Sequence, residues 1–281
     1  MEKVIKHIGE LNGRVLLFGG VYSNLHALEA LHAIAIDQSI EASNIICTGD
    51  IVAYCAYPAE CVAFTQKWGI HTIAGNVELN LLDQSDDCGC NFDEGSRCDV
   101  FSKQWYPYAQ SKMQKSHLDF LSTIPHHIQF AYNKKKVTVL HGTDENVSGY
   151  VFKSTSWSEK KKILDNVESD IVVAGHCGVP FIDKADDKIW INAGVIGMPA
   201  NDGHTHTWYA ILDIEDDIKV NYHKLNYAHQ IASQAMKDID LIPAYAKTLV
   251  SGLWDNCDVL PAHETAQQGK RIDLSHKIMT L

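Results

Sequence analysis

Apolar runs that end in a polar residue beside a glycine constrain the fold of this 281-residue chain more than any other feature. The five ends are Gly49-Asp50, Gly75-Asn76, His141-Gly142, Gly175-His176 and Asn192-Ala193-Gly194. Glycine lets a backbone turn sharply after a strand. In α/β proteins, ligands bind in the crevice at the carboxyl ends of the strands. If these ends share one crevice, it collects a carboxylate, an amide oxygen and two imidazoles, which is a donor set suited to a metal ion.

The first third of the chain alternates between strand-like and helical patterns. The predicted strands are RVLLF, NIICT and HTIA. A segment from Leu25 to Ala35 has helical periodicity, with Ser23 or Asn24 as its N-cap. Pro58 suits the first turn of a second helix, which is expected to end near Trp68. This β-α-β-α-β order predicts parallel strands with right-handed crossovers.

The rest of the chain predicts a second sheet. Residues 77–104 form an acidic, Cys- and Gly-containing interruption before a helix expected from about Trp105 to Leu121. Further strands are predicted at KKVTVL, DIVVA and KIWIN, and TWYAILDI and IKVNYHKL are expected to form an antiparallel hairpin. A last helix is expected near 229–237, followed by a tail of uncertain structure from about Ala244. The pattern predicts an α/β fold in which two mixed β-sheets pack face to face and are flanked by helices. Because no linker is evident, residues 1–281 are expected to form a single domain.

The net charge and the first residues of the chain indicate which cellular compartment and which classes of partner to expect. A net charge of -11 disfavours binding to nucleic acid or to anionic membranes, because both need basic patches. The first residues, MEKVIKHIGELNG, are too polar for a signal peptide, and no apolar run is long enough to span a bilayer. We therefore expect a cytoplasmic protein, in which the eight cysteines are reduced thiols or metal ligands. Cys47 and Cys61 lie in strand-like and helix-like runs and are expected in the core.

The order of these motifs resembles that of the calcineurin-like metallophosphoesterase superfamily, in particular its small bacterial phosphodiesterase-like branch. The resemblance covers about residues 14–227 and leaves a C-terminal extension of about 244–281. Six segments match the family motifs in order: GGVYSNL from Gly19, GDIVAY from Gly49, GNVE from Gly75, HG at His141, GHCG from Gly175 and NAGVIGMP from Asn192. A single match of this kind carries little information, whereas six in order, each after a strand, imply the sandwich fold of that family.

The resemblance also implies that only half of the family's two-metal centre remains. The positions of the family's Asp and two His ligands for one metal are occupied by Gly20, Tyr22 and Gly178, and the position of the catalytic His is occupied by Val77. The four ligands of the other metal are all present: Asp50, Asn76, His141 and His176. The resemblance therefore implies one divalent transition metal ion, Mn, Fe or Zn, and leaves the catalytic residue unknown.

Five further residues are candidates for contacts in this site. Asn24 matches a family asparagine, although it also suits a helix N-cap. Tyr22 replaces a lost ligand, and Cys177 lies within the GHCG motif. His204 and His206 belong to a GHTH segment that has the letters of a family motif but precedes a strand instead of following one. These two histidines are expected either to touch substrate or metal or to lie in a solvated loop.

The interruption contains three cysteines, Cys88, Cys90 and Cys98. Thiolates are good ligands for Zn and Fe, so this loop could hold a separate metal ion. Their C-x-C spacing with a third cysteine eight residues later is not a standard zinc pattern, which favours reduced thiols in an ordered loop.

Three functions follow as hypotheses. The first is a metallophosphoesterase, a hydrolase that uses metal-activated water on a small phosphomonoester, phosphodiester or nucleotide, as a phosphatase or phosphodiesterase. The second is a non-catalytic relative that binds a phosphorylated ligand or a partner. The third, suggested by the cysteine loop, is a redox-sensitive or Cys-assisted metal protein. The loss of the ligands for one metal and of the catalytic His favours the non-catalytic relative. The four intact ligands for the other metal favour the metallophosphoesterase.

Overall fold

The computed structural model describes residues 3–90 and 92–274, and within them eleven strands form two β-sheets. The six-stranded sheet contains, in spatial order, β1 (Ile5–Leu11), β5 (His127–Tyr132), β6 (Lys135–Leu140), β7 (Ile171–Ala174), β9 (Lys188–Asn192) and β8 (Phe181–Ala185). The five-stranded sheet contains β11 (Ile218–Leu225), β10 (Thr207–Ile214), β2 (Val15–Phe18), β3 (Ile45–Cys47) and β4 (His71–Thr72).

Both sheets are mixed, as the sequence predicts. In one sheet β2, β3 and β4 run parallel. The hairpin of β10 and β11 extends this sheet, because β10 pairs antiparallel with β2. In the other sheet β6, β7 and β9 run parallel, while β5 and β8 pair antiparallel with β6 and β9. The carboxyl ends of β3, β6 and β7 are those that carry the glycine-linked polar residues. The predicted fold class, two mixed sheets with flanking helices, is confirmed.

Nine α-helices lie in the described residues. They are α1 (Leu25–Asp37), α2 (Pro58–Trp68), α3 (Asn76–Leu82), α4 (Arg97–Lys112), α5 (Lys115–Leu121), α6 (Trp157–Asn166), α7 (His229–Asp238), α8 (Pro243–Ser251) and α9 (Ala262–Thr265). The side chain of Asn24 caps α1 by accepting a hydrogen bond from the Ala27 amide at 3.3 Å. Pro58 begins α2, and Gly69 ends it in the left-handed conformation at φ 73°. The predicted starts of both helices are therefore correct.

The hydrophobic core lies in three layers. Between the sheets, fully buried aliphatic side chains such as Leu17, Ile46, Val139 and Val173 face one another. A second cluster packs α1, α2, α7 and α8 against the outer face of the five-stranded sheet, and it includes Cys47 and Cys61. A third cluster packs α6 against the outer face of the six-stranded sheet. The apolar runs of the central strands are buried on both faces, which is why they read as continuous hydrophobic segments.

The structure contains four elements that the sequence analysis did not predict, β1, β5, β8 and α6, and it corrects two predicted regions. The interruption at 77–104 contains most of α3 and the start of α4, and the helix predicted for about 105–121 is two helices separated at Met113. Met113 has extended backbone torsions (φ -73°, ψ 124°), and Gln114 is the N-cap of α5, with His117 as its capping partner. The tail predicted to be of uncertain structure contains α8 and α9; its last residues, 275–281, lie outside the described residues.

Among the helices of residues 3–90 and 92–274, none combines the length and the apolar character needed to cross a membrane.

Candidate metal centre

Three of the predicted ligands meet at the carboxyl ends of parallel strands. Asp50 follows β3, His141 follows β6 and His176 follows β7. His141 Nε2 lies 3.2 Å from Asp50 Oδ2 and 3.2 Å from His176 Nδ1. In the part of the chain that the structure describes, these three side chains are the one group of His, Cys, Asp and Glu residues whose ligand atoms lie within 4.8 Å of one another. All three are buried, so the group lies at the bottom of a crevice.

The donor atoms of this group fit a divalent ion. Asp50 Oδ1, Asn76 Oδ1 and His176 Nε2 are buried and have no hydrogen-bond partner among the described residues. Buried polar atoms are nearly always paired, so unpaired atoms on three of the four predicted ligands call for a missing partner. Tetrahedral ligands at about 2.0–2.2 Å from zinc are about 3.3–3.6 Å apart, and the spacing of 3.2 Å around His141 Nε2 is close to this range.

Asn76 is oriented by the cysteine loop. This residue begins α3, and its Nδ2 donates hydrogen bonds to the Cys88 carbonyl oxygen at 2.9 Å and to Cys90 Sγ at 3.1 Å. Both amide protons are used in this way, so the unpaired Oδ1 is the atom left for a metal. Sequence reasoning missed this positioning role of the loop.

The three cysteines of the interruption do not form a metal site of their own. Cys88 Sγ and Cys90 Sγ lie 3.1 Å apart, and both side chains are buried. Cys98 is only half-buried and bonds Asn256 Oδ1 at 3.4 Å. The interaction with Cys88 and burial raise the pKa of Cys90 well above its usual value, which keeps its sulfur a neutral thiol. All eight cysteines are free in the structure.

His141 is held with its Nε2 facing the other ligands. Its Nδ1 lies 2.6 Å from the Thr48 carbonyl oxygen, which can only accept, so the Nδ1 proton is placed there and Nε2 is free to coordinate. A partner of this kind on the far ring nitrogen is the usual support for a metal-bound histidine.

Burial and mutual charge set the protonation of the group. Burial alone would raise the pKa of Asp50, but the charge of His141 and a hydrogen bond to it hold that pKa below its usual value. Burial alone would lower the pKa of His141, but Asp50 raises it above its usual value. For His176, burial and the neighbouring His141 lower the pKa to about 3. The Asp50 carboxylate and a neutral His176 are states that a metal ion requires, whereas His141 would have to release the second proton that Asp50 favours.

Glu78, which the sequence analysis did not identify, holds the backbone of the loops that carry the ligands. Its Oε2 accepts hydrogen bonds from the amides of Asp50 at 2.9 Å and Gly75 at 2.8 Å, and its Oε1 accepts one from Val52 at 3.0 Å. Burial, and then the charge of Asp50, raise its pKa to about 7. The signal was available, because an acidic residue three positions after Gly75 is the pattern of a helix-capping box.

Aromatic rings occupy the place of the missing ligands. A Cβ atom added to Gly20 would lie 2.6 Å from the Tyr22 ring, so Tyr22 fills the space that an aspartate at position 20 would need. A Cβ added to Gly178 would lie 3.4 Å from the ring of Trp254, which comes from the C-terminal extension. Val77 is buried in the core. The lost half of the centre is thus filled by side chains of this chain.

The remaining candidate residues lie around the centre. Asn24 caps α1 and donates from Nδ2 to the Gly197 carbonyl oxygen at 3.0 Å, so both ends of its amide have structural partners. Cys177 Sγ accepts a hydrogen bond from Asn192 Nδ2 at 3.1 Å. Asn192 also donates to the Gly175 carbonyl oxygen at 2.8 Å, which ties the His176 turn to the end of β9. Asn192 therefore has a structural role at the end of β9.

The two histidines of the GHTH segment are outside the ligand group. His204 Nδ1 lies 3.5 Å from Asp202 Oδ1, and His206 Nε2 lies 4.0 Å from Asp202 Oδ2. His206 is buried against Trp208, so the expectation of a uniformly solvated loop is wrong for this residue.

Comparison with known proteins agrees with this geometry. Residues 18–217 match the model of the calcineurin-like phosphoesterase superfamily domain. The uncharacterized protein MJ0912 of Methanocaldococcus jannaschii is 26% identical over 228 residues, which cover 74% of this chain and 86% of that protein.

Two solved structures share the fold. A metallophosphoesterase from Sphaerobacter thermophilus superposes with a TM-score of 0.67 at 21% identity, covering 86% of this chain and 100% of the other. The hypothetical protein PH1004 from Pyrococcus horikoshii OT3 superposes with a TM-score of 0.72 at 20% identity, covering 86% and 99%. Since this family match spans well over half of the chain, the chain belongs to the calcineurin-like phosphoesterase superfamily.

Proposed function

We propose that the protein is a phosphoric ester hydrolase that uses one divalent transition metal ion, Mn, Fe or Zn, and acts on a small phosphorylated compound. The observation that carries this proposal is the convergence of Asp50, His141 and His176 with unpaired buried atoms, to which Asn76 adds its free Oδ1. The superfamily to which the chain belongs supports phosphoester chemistry at this place.

The four side chains would hold the ion, and each has a support of its own. Glu78 holds the Asp50 amide, the Thr48 carbonyl holds His141, and the cysteine loop holds Asn76. An ion in this site supplies Lewis-acid polarisation of a phosphoryl oxygen and lowers the pKa of water. The net charge of -11 makes such local positive charge important for an anionic substrate.

The absence of a proton donor at position 77 restricts the substrates. Val77 is buried in the core and cannot protonate a leaving group, a step worth about 10²–10⁴-fold in rate. We therefore expect turnover to favour esters whose leaving group is stable as an anion, such as p-nitrophenolate, over alkyl phosphates.

Metal analysis together with turnover tests the proposal. Purified protein loaded with Mn should bind metal and hydrolyse p-nitrophenyl phosphate or bis-p-nitrophenyl phosphate, and His141→Ala should lose both properties. His204→Ala is the matched control, because this histidine is outside the ligand group; it should keep both. Absence of metal and of turnover in the wild type would refute the proposal.

A second candidate, a non-catalytic protein that binds a phosphorylated ligand or a partner, is favoured by one observation. Tyr22 and Trp254 occupy the space of the missing half of the centre, so the losses are built into the packing. Retained metal together with no turnover on any phosphoester tested would favour this candidate.

A further inference from the structure

A cavity of about 90 Å³ opens beside the candidate metal centre. His176 lines it together with Tyr22 and Gly178, so it occupies the side on which the family's other metal ligands are missing. Its outer wall comes from α4 and from the C-terminal extension, including Cys98, Tyr245 and Trp254. One ligand of the centre therefore faces the cavity, and a molecule bound at the metal can extend into it.

The walls of the cavity are mainly aromatic. The Tyr22 and Tyr54 rings pack edge to face with centroids 4.8 Å apart, and Tyr245 lies 4.8 Å from Tyr54. On the other side, the Tyr150 ring lies 4.3 Å from the ring of His176. Trp254 is held in place because its indole Nε1 donates to the Pro199 carbonyl oxygen at 2.7 Å. Fixed aromatic walls of this kind favour a planar ring in offset or edge-to-face contact.

The lining is also electrically neutral. None of the described residues that line the cavity is Lys or Arg, and its one acidic residue, Asp255, is paired with Arg97 outside it. Tyrosine side chains are neutral near pH 7, and burial raises the pKa of Cys98 to about 11, so these groups of the lining are uncharged. A phosphate group would find no cationic partner in the cavity, whereas a neutral ring would bury apolar surface there.

The size of the cavity favours a single ring over a bicyclic one. A volume of about 90 Å³ is several times the ~10–15 Å³ that one water needs, and it is below the ~150 Å³ closed cavity that holds benzene in an engineered case. Because this cavity is open at its mouth, a six-membered ring can enter it with one edge exposed, and a bicyclic purine would leave more of its surface outside.

We propose that this cavity binds the six-membered planar ring, aryl or pyrimidine, of the phosphorylated compound whose phosphoryl group lies at the metal centre. This inference rests on the proposed function and adds the class of substrate to it. The cavity adjoins the positions of the missing ligands, and Tyr22 and Trp254, which fill those positions, form part of its wall.

Calorimetric titration of the Mn-loaded protein with phosphonates tests the inference without turnover. The probes are methylphosphonate, phenylphosphonate and the 5′-phosphonates of thymidine and adenosine. One of the two single-ring probes should bind roughly tenfold or more tightly than methylphosphonate, and which one does so identifies an aryl or a pyrimidine source. The adenosine probe should gain nothing over methylphosphonate.

Two variants act on the cavity from opposite directions. Trp254→Leu removes a wall, Cys98→Phe fills the space, and both should abolish most of the ring preference while leaving the Kd of methylphosphonate unchanged. Trp157→Leu, the same change at a half-buried tryptophan of α6 outside the cavity, should keep the preference. Equal Kd values for methyl and single-ring probes in the wild type, or a preference that survives both cavity variants, would overturn the inference.

Failure of the proposed function is distinguishable from failure of this inference. If metal is retained without turnover, the phosphonate titration still measures the ring preference. If no metal binds, methylphosphonate does not bind either, and the cavity is tested with 4-methylphenol added to metal-free protein. Saturable binding in the wild type that is lost in Cys98→Phe supports the ring site, and no binding overturns it.

Discussion

Single residues that touch no ligand hold the donor atoms of the candidate centre in place. Glu78 is fully buried and accepts three backbone hydrogen bonds, from Asp50, Gly75 and Val52. It thus joins the turn after β3 to the start of α3 through one carboxylate. Because the loops on either side of it carry two of the four proposed ligands, the position of Asp50 relative to Asn76 depends on Glu78.

Glu78→Gln should destabilise the metal-free protein by about 2–4 kcal/mol. The amide group replaces an acceptor with a donor, which then faces backbone N–H groups in a buried place. Urea unfolding in the presence of a chelator measures the change. Glu60→Gln on the exposed face of α2 is the control and should stay within about 0.5 kcal/mol of the wild type. An unchanged midpoint for Glu78→Gln would show that these hydrogen bonds do not hold the turn.

His127, a buried residue of β5 that is not one of the proposed ligands, should make the protein sensitive to acid. Burial and the nearby Lys3 lower the pKa of this residue of β5 to about 4 in the folded protein, whereas an unfolded histidine has a pKa near 6.5. Between these values the unfolded chain takes up the proton first, so the contribution of His127 to stability is complete above about pH 6.5 and is lost as the pH falls towards 4.

The effect is measured by comparing His127→Gln with the wild type in urea unfolding at pH 7.5 and pH 5. The wild type should lose more stability than the variant over this interval, by the order of 1–3 kcal/mol, because other titrating groups are common to both. Equal losses would mean that His127 titrates normally in the folded protein.

At the scale of secondary structure elements, tight turns bring the ligands together at the strand ends. Asp50 and His176 both have left-handed backbone conformations, at φ 56° and 59°. Gly75 must approach the Asp50 turn closely, because a Cβ at position 75 would collide with Asp50 Oδ1 and lie 2.7 Å from the Asp50 amide nitrogen. The glycine beside a polar residue is thus a packing requirement between two loops.

Gly75→Ala should therefore displace Asp50. We expect a fall in metal affinity of about tenfold or more and a loss of about 2 kcal/mol or more in stability, because the Asp50 amide nitrogen is a backbone atom and the side chain of Asp50, a proposed ligand, would have to move. Gly69→Ala is the matched control: that glycine ends α2 at φ 73° with nothing within 4 Å of an added Cβ. It should cost about 1–2 kcal/mol of stability and leave metal affinity unchanged. Equal metal affinities in Gly75→Ala and the wild type would contradict this account of the turn.

The strand ends could be predicted because each central strand is an apolar run buried on both faces. Strand β1 could not be predicted, because it is an edge strand in which only Leu11 is buried and its sequence has no hydrophobic pattern. The break at Met113 carries no glycine or proline, so the two helices read as one. Likewise, the contact of Trp254 with the space beside Gly178 joins distant parts of the chain, and no local pattern indicates it.

At the scale of the whole molecule, the C-terminal extension is part of the main core. Ala246 and Leu249 of α8 are fully buried in the cluster that covers the five-stranded sheet, and the next residues deliver Trp254 to the cavity. The extension therefore both stabilises the fold and shapes the site. The single domain expected for residues 1–281 stays a prediction, and this packing favours it.

Leu249→Ala should destabilise the protein by about 2–5 kcal/mol, as is usual for a fully buried leucine. Val250→Ala, at the neighbouring exposed position (41% exposed), should change stability by less than about 0.5 kcal/mol. Chemical unfolding of both variants measures these changes in stability. Similar small effects would mean that α8 docks only loosely, and the cavity would then lack a fixed outer wall.

The metal stoichiometry of the purified protein is the most direct test of the central claim. Protein loaded with Mn or Zn, desalted and measured by elemental analysis should contain one ion per chain, because the second half of the family's centre is filled by Tyr22 and Trp254. Asn76→Ala should lose the ion to a large extent and His141→Ala should lose it completely. Two ions per chain, or one ion that persists without His141, would contradict the account.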